Sequence, residues 1–274
     1  MSGFTEIADR VHVLRYPVLD VNVTLVVGER TALVVDTLST ETQATELAGA
    51  IRAVTRKPLT IVNTHHHFDH SFGNATLADQ DTPVWAHEAA AAHLRDEGAR
   101  WQREWYEQCR DTEPELAEGL AEVTIRAADH TVHREATLDL GERVALLCFL
   151  GRGHTDGDLT VLVPDADVVL AGDLVEESGP LEFGDAYPLE WPETLAALTH
   201  RLGPATVVVP GHGAPVGRAF VQEQRAALTK LDWLIRDGHA DGAPARAVAA
   251  RSPFGADASL VAVKRGYAEL SGRA

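Results

Sequence analysis

Thr64-His65-His66-His67-Phe68-Asp69-His70 is the stretch that sets the reading of the whole chain. Residues 59–62 just ahead of it are a short apolar run, which predicts a buried strand delivering the chain into the histidines. Alternate side chains of an extended segment share one side, so His65 and His67 can reach the same cation. His66 lies between them, faces away and takes a structural or supporting role. Asp69 and His70, adjacent at a turn, can reach a second position close by. Imidazole nitrogen and carboxylate oxygen suit zinc, and also iron or manganese. Four such donors within six residues are hard to explain structurally.

Two complete metal sites need further donors. Gly153-His154-Thr155, Gly172-Asp173 and Pro210-Gly211-His212-Gly213 supply them, each placed just after a predicted strand (144–150, 168–170 and 206–209). A glycine beside each donor lets the backbone turn sharply and approach closely. Upstream, the first 60 residues read as β-β-β-α-β, with strands at 11–14, 21–27 and 32–35 and a helix over 41–54 capped by Thr40. The composition from 87 to 120 shifts to Ala, Glu, Arg and Trp and predicts a charged helical segment. Trp101 and Trp105 share one face of it, either as core anchors or as a wall over the metals. Strands return at 136–140, 144–150, 160–163 and 168–171, then a helix at 191–202 with Pro192 in its first turn, and an amphipathic helix at 220–235. Two short helices close the chain. We read 1–274 as a single domain with a helical insert near 87–121 and a helical C-terminal extension over 217–274.

The series HxHxDH, GHT, GD and PGHG resembles the metallo-β-lactamase superfamily over roughly residues 10–215. The resemblance implies an α/β fold, a four-layer αβ/βα sandwich. It implies that His65, His67 and His154 hold a first metal, that Asp69, His70 and His212 hold a second, and that Asp173 bridges them. The expected cofactors are two Zn2+ ions, with Fe or Mn as alternatives. A hydroxide shared by the pair then attacks a carbonyl carbon, with Asp69 as the catalytic residue that orients it and carries a proton to the leaving group. Asp36 reads either as a hydrogen-bond partner of a ligand histidine or as a strand-end turn residue.

Gly172-Asp173-Leu174-Val175, Gly184-Asp185-Ala186 ahead of Trp191-Pro192, and Val208 to Gly213 look closest to the zinc β-lactamases with an Asp-Cys-His second site. Two departures matter. Asp173 stands where that class has its ligand cysteine, and Glu176 where it has the lysine that binds the antibiotic carboxylate. A carboxylate there repels an anionic β-lactam. His70 instead matches the broader hydrolases, such as glyoxalase II-like thioesterases and lactonases. The expected activity is therefore hydrolysis of a small-molecule ester, thioester or lactone. A β-lactamase, an iron-dependent persulfide dioxygenase-like oxidoreductase and a non-catalytic metal-binding protein are the alternatives. Tyr187 is a candidate for contacting substrate, and Trp191 either contacts substrate or packs at a helix start. The loop 16–20 reads as a flap presenting Pro17, Val18 and Leu19.

Bulk properties fit this reading. The 274 residues include 45% hydrophobic and 24% charged residues, ordinary globular usage with ample material for a core. The net charge of −17 repels phosphate backbones and anionic lipid, which argues against nucleic acid as a partner. No run approaches the roughly 18 apolar residues of a membrane span. The start, MSGFTEIADRVHVL, lacks the pattern of a secretory signal, so the chain is expected in the cytoplasm. Cys109 and Cys148 read as two reduced thiols, and no feature specifies an oligomer.

Overall fold

Val- and Leu-rich runs recur along the chain, and each forms a strand that is buried on at least one face. The computed structural model describes residues 3–272. Its first half runs β1 (Thr5–Ala8), β2 (Val11–Arg15), β3 (Asn22–Val27), β4 (Ala32–Val35), α1 (Glu41–Val54), β5 (Leu59–Val62), α2 (Phe68–Ser71), α3 (Asn74–Leu77), β6 (Val84–His87), α4 (Glu88–Cys109), α5 (Pro114–Glu122) and β7 (His130–Val132). The second half runs β8 (Glu135–Asp139), β9 (Val144–Phe149), β10 (Leu159–Val163), β11 (Val168–Gly172), α6 (Trp191–His200), β12 (Val207–Pro210), α7 (Arg218–Ala240), α8 (Ala245–Ala249) and α9 (Ala256–Leu270).

The strands form two mixed sheets. One has the order β1 to β7 and the other the order β12-β11-β10-β9-β8. Hairpins make the pairs of β1 through β4 and of β8 through β11 antiparallel. Every parallel pair is bridged by helix, as a crossover requires: α1 between β4 and β5, α2–α3 between β5 and β6, α4–α5 between β6 and β7, α6 between β11 and β12. Val11, Val26, Leu33 and Val35 of the first sheet meet Leu147, Val161, Val163 and Leu170 of the second in one buried layer. Leu25, Val34 and Ile61 turn outward onto Leu47 and Ile51 of α1, while Val169 and Val208 pack under α6 and α7. The result is the expected αβ/βα sandwich.

Local chemistry explains the helix ends. Thr40 Oγ1 accepts from the Gln43 amide at 3.2 Å, and Gln43 Oε1 reaches back to the Ser39 amide at 3.1 Å, satisfying two free donors at the start of α1. The expected helical segment over 87–120 divides in two, because Pro114 opens α5 and cannot continue α4. The helix expected over 191–202 closes at His200, and the one expected over 220–235 extends to Arg218–Ala240. Strands β1, β6 and β7 carry no clear alternation. They are only three or four residues long, and β1 and β7 are largely exposed edges. Both cysteines are buried free thiols. No helix among the described residues is long and apolar enough to cross a membrane.

Leu147 lies fully buried between the sheets. Leu147→Ala should cost about 2–5 kcal/mol, read as a lowered urea midpoint with an unchanged slope.

Candidate metal centre

Every candidate donor comes just after a strand, in a loop or, for Asp69 and His70, in the short helix α2. Asp36 follows β4, the His65–His70 run follows β5, His154 lies in the loop after β9, Asp173 follows β11 and His212 follows β12. Ligands of open α/β sheets gather outside the carboxyl ends of strands, where side chains are free to converge. The structure brings all seven candidates together, although they span residues 65–212.

They fall into two groups. Donor atoms of His65, His67, His154 and Asp173 lie within 4.8 Å of one another, and so do those of Asp69, His70 and His212. In the first, His154 Nε2 is 2.9 Å from His67 Nδ1. In the second, His70 Nε2 is 3.2 Å from His212 Nε2, and Asp69 Oδ2 is 3.3 Å from His212 Nε2. Asp173 sits between: Oδ2 lies 3.4 Å from both His154 Nε2 and His212 Nε2, and Oδ1 lies 3.2 Å from His70 Nε2.

This arrangement fits metal ions. His65 Nε2 and Asp173 Oδ1 are buried and make no hydrogen bond, an arrangement that is costly without a cation to receive their lone pairs. Burial and the neighbouring histidines hold His65 well below the usual histidine range, and burial brings His154 down to about 4, so both rings offer free nitrogen. In the second group burial opposes protonation, but Asp173 and Asp69 override it and hold His70 and His212 well above the usual range. The two carboxylates thus create a negative field where a cation would sit.

Partners behind the donors fix their directions. Asp36 Oδ2 accepts from His70 Nδ1 at 2.8 Å, and Asp36 accepts from the Thr64 amide at 2.7 Å and the Thr64 hydroxyl at 2.8 Å. The Thr64 hydroxyl lies 3.0 Å from His65 Nδ1. One buried carboxylate therefore orients a histidine of each group, which decides between the two readings of Asp36. His67 Nε2 lies 3.2 Å from Asp185, which also meets His66 Nε2 at 3.1 Å. His212 Nδ1 is held 2.7 Å from the Leu19 carbonyl, so the 16–20 loop supports the site rather than only covering it. Asp158 accepts from the Thr155 amide and hydroxyl and closes the turn that presents His154. Gly211 has no room for a side chain, since a Cβ there would lie 1.7 Å from Asp173 Oδ1.

A cavity of about 850 Å³ opens above these residues. His67, Asp69, His154, Asp173 and His212 line its floor, and Phe68, Phe72, Trp101 and Trp105 its wall. Trp105 packs on Phe68 at 4.5 Å and Trp101 stacks on His66 at 4.5 Å, so the two tryptophans anchor α4 and also form the wall. Tyr187 and Trp191 do not line the cavity, which corrects the reading of Tyr187 as a substrate contact and, of the two readings of Trp191, favours packing at a helix start. Trp191 is fully buried behind His154 with its Nε1 donating to the Leu174 carbonyl, and Tyr187 lies under the Arg152 guanidinium. Leu19 is the apolar lip at the cavity mouth, while Val18 packs against the α4–α5 cluster.

Sequence reasoning assigned no role to Asp185 or Arg265. Arg265 of α9 donates from Nε to the Ala186 carbonyl, from Nη1 to that of Gly184 and from Nη2 to that of Asp185. A lone arginine in a C-terminal helix carries no local signal that it grips a loop some 80 residues away.

Two variants test this support. Asp36→Asn should weaken metal retention about 10–100-fold, measured by competition with a chelator. Arg265→Ala should speed metal loss to the same chelator while leaving the helical content unchanged. Arg265→Lys should not restore it, because one ammonium cannot span three carbonyls.

Comparison with known proteins places this geometry. The family model of the metallo-beta-lactamase superfamily matches residues 16–212. The curated protein "Probable metallo-hydrolase YqgX" of Bacillus subtilis (strain 168) is 28% identical over 180 residues, covering 62% of this chain and 76% of that protein. Metallo-beta-lactamase IND-1 of Chryseobacterium indologenes is 30% identical over 94 residues, 33% of this chain and 39% of that one. Among solved structures, a metallo-beta-lactamase from Pontibacter korlensis superposes with a TM-score of 0.66 at 21% identity, covering 84% of this chain and 99% of that one. The inverting sec-alkylsulfatase Pisa1 from Pseudomonas sp. superposes with a TM-score of 0.78 at 15% identity, covering 98% of this chain and 50% of that one. These two likenesses are of fold. With the family model spanning every candidate donor, the chain belongs to the metallo-β-lactamase superfamily, and its histidine and aspartate clusters are able to hold metal ions.

Proposed function

We propose that this protein is a dinuclear metal-dependent hydrolase acting on an ester, thioester or lactone of a small molecule. The observation that carries the reading is the position of Asp173, shared by two donor groups at the floor of one cavity. His65, His67 and His154 would hold the first ion and Asp69, His70 and His212 the second, with Asp173 within reach of both. The first donor set is three imidazoles and a carboxylate oxygen, which suits zinc. When bound, such a pair lowers the pKa of a water and polarises a carbonyl.

The chain's own residues supply the rest. Asp69 lies on the cavity floor, where its free lone pairs can orient a water and pass its proton to the leaving group. The aromatic wall from α2 and α4 takes up apolar parts of the substrate and excludes bulk water. Glu176 and Glu182 line the same cavity, and its one basic side chain, Arg100, is already paired with Glu97 and Glu104. No free cation is left among the lining residues to clamp a substrate carboxylate, which disfavours β-lactam antibiotics.

A hydrolysis screen tests the reading. Aryl esters, lactones, S-lactoylglutathione and nitrocefin are offered to protein reloaded with zinc or manganese. Turnover of an ester, thioester or lactone should exceed that of nitrocefin. Dominant nitrocefin hydrolysis would reverse the ranking, and oxygen uptake with iron bound would move the protein to oxidative chemistry. Asp173→Ala should abolish turnover and release the second metal, as elemental analysis would register. Full activity in that variant would remove the spanning role.

A further inference from the structure

Resting on the dinuclear reading, we infer that Glu176 is a protein ligand of the second metal, so that the two sites differ in kind. A carboxylate oxygen of Glu176, a carboxylate oxygen of Asp173 and a ring nitrogen of His212 all lie within 4.8 Å of one another. The turn that carries Glu176 is pinned. Its amide donates to Gln224 Oε1 at 3.1 Å, and Gln224 Nε2 donates to the Leu174 carbonyl at 2.9 Å. The side chain therefore starts from a fixed point three residues beyond Asp173 and reaches back to the same floor.

Two independent observations point to a cation at that spot. Asp173 Oδ1 is buried and lacks any hydrogen-bond partner. Among the described residues lining the cavity, Glu176, half-buried beside Asp173, finds no free lysine or arginine, because Arg100 is engaged by Glu97 and Glu104. Neighbouring carboxylates in a partly desolvated space either share a proton or take up a positive charge between them, and a bound metal ion would supply that charge.

The donor count then separates the sites. The first gathers three imidazole nitrogens and one oxygen, a tetrahedral complement typical of zinc. Asp69, His70 and His212 form one donor group and Asp173, Glu176 and His212 another. The two share His212, so with Glu176 the second ion would have up to three oxygens and two nitrogens to draw on. Five protein donors, mostly oxygen, exceed what tetrahedral zinc needs and suit a cation of higher coordination number such as manganese or iron(II). Glu176 raises the affinity of the second site for such ions relative to zinc.

The test uses the full chain, stripped and reloaded with Mn2+, Zn2+ or Co2+, as wild type, Glu176→Gln and Glu182→Gln. Elemental analysis counts the ions, the EPR signal of free Mn2+ gives its affinity, and Co2+ absorption reports coordination number. The wild type should hold two ions. Glu176→Gln should keep the first zinc but bind Mn2+ at the second site about tenfold more weakly, with a smaller loss for zinc and a more intense Co2+ spectrum. Glu182→Gln removes a charge from the same cavity and should leave Mn2+ affinity and the Co2+ spectrum as they were. Two ions bound in Glu176→Gln with unchanged Mn2+ affinity overturns the assignment of Glu176 alone. An equal loss in Glu182→Gln also overturns it, since the effect is then one of charge and not of ligation. A wild type that holds a single ion overturns the dinuclear reading and this assignment together.

Discussion

The site depends on one buried carboxylate held between two sets of imidazoles. Asp173 lies within 3.4 Å of ring nitrogens from both sets, and its Oδ1, 3.2 Å from His70 Nε2, makes no hydrogen bond among the described residues. Its place is set by backbone. The Gly211 amide donates to the Gly172 carbonyl at 2.8 Å, tying the end of β12 to the end of β11. The Asn22 amide donates to the Gly211 carbonyl at 2.7 Å, tying both to the first sheet. The two sheets are thus stitched together at the point where the donors converge, so packing between the sheets also sets the geometry of the site.

Directions are imposed on the donors by neutral and acidic partners one step back. Asp36 holds His70 directly and His65 through the Thr64 hydroxyl, the Leu19 carbonyl holds His212, and Asp185 holds His67. Asp36 adopts a left-handed backbone at φ 68, and Leu19 does so at φ 59. Aspartate tolerates this conformation but leucine does not favour it, so the contacts around Leu19 must sustain it. Elements outside the family match at 16–212 take part as well, since α9 grips the loop of Asp185 through Arg265.

How much of this could be read in the sequence follows from how local each signal is. The HxHxDH run showed itself because strand alternation and adjacency put four donors within reach of two points. His154, Asp173 and His212 were legible because glycines and preceding strands marked them as loop residues at sheet ends. The sandwich was what the resemblance of the donor motifs implied, and the apolar runs and helical spacings placed most of its elements along the chain. Strands β6 and β7 were not legible, since VWAH and HTV carry no period and form strands only by pairing with neighbours distant in sequence. The position of Tyr187 and Trp191 between two donors suggested a role in the pocket, but Trp191 is buried at the start of α6 and Tyr187, in the loop before it, lies under Arg152, and neither lines the cavity. The grip of Arg265 is a tertiary contact with no trace in local sequence.

Anomalous diffraction from crystals of the metal-loaded protein, recorded on both sides of the zinc edge, bears most directly on this account. It predicts two peaks, one enclosed by His65, His67 and His154 and one by Asp69, His70 and His212, with the Asp173 carboxylate between them. A single peak, or a pair placed away from Asp173, would contradict it.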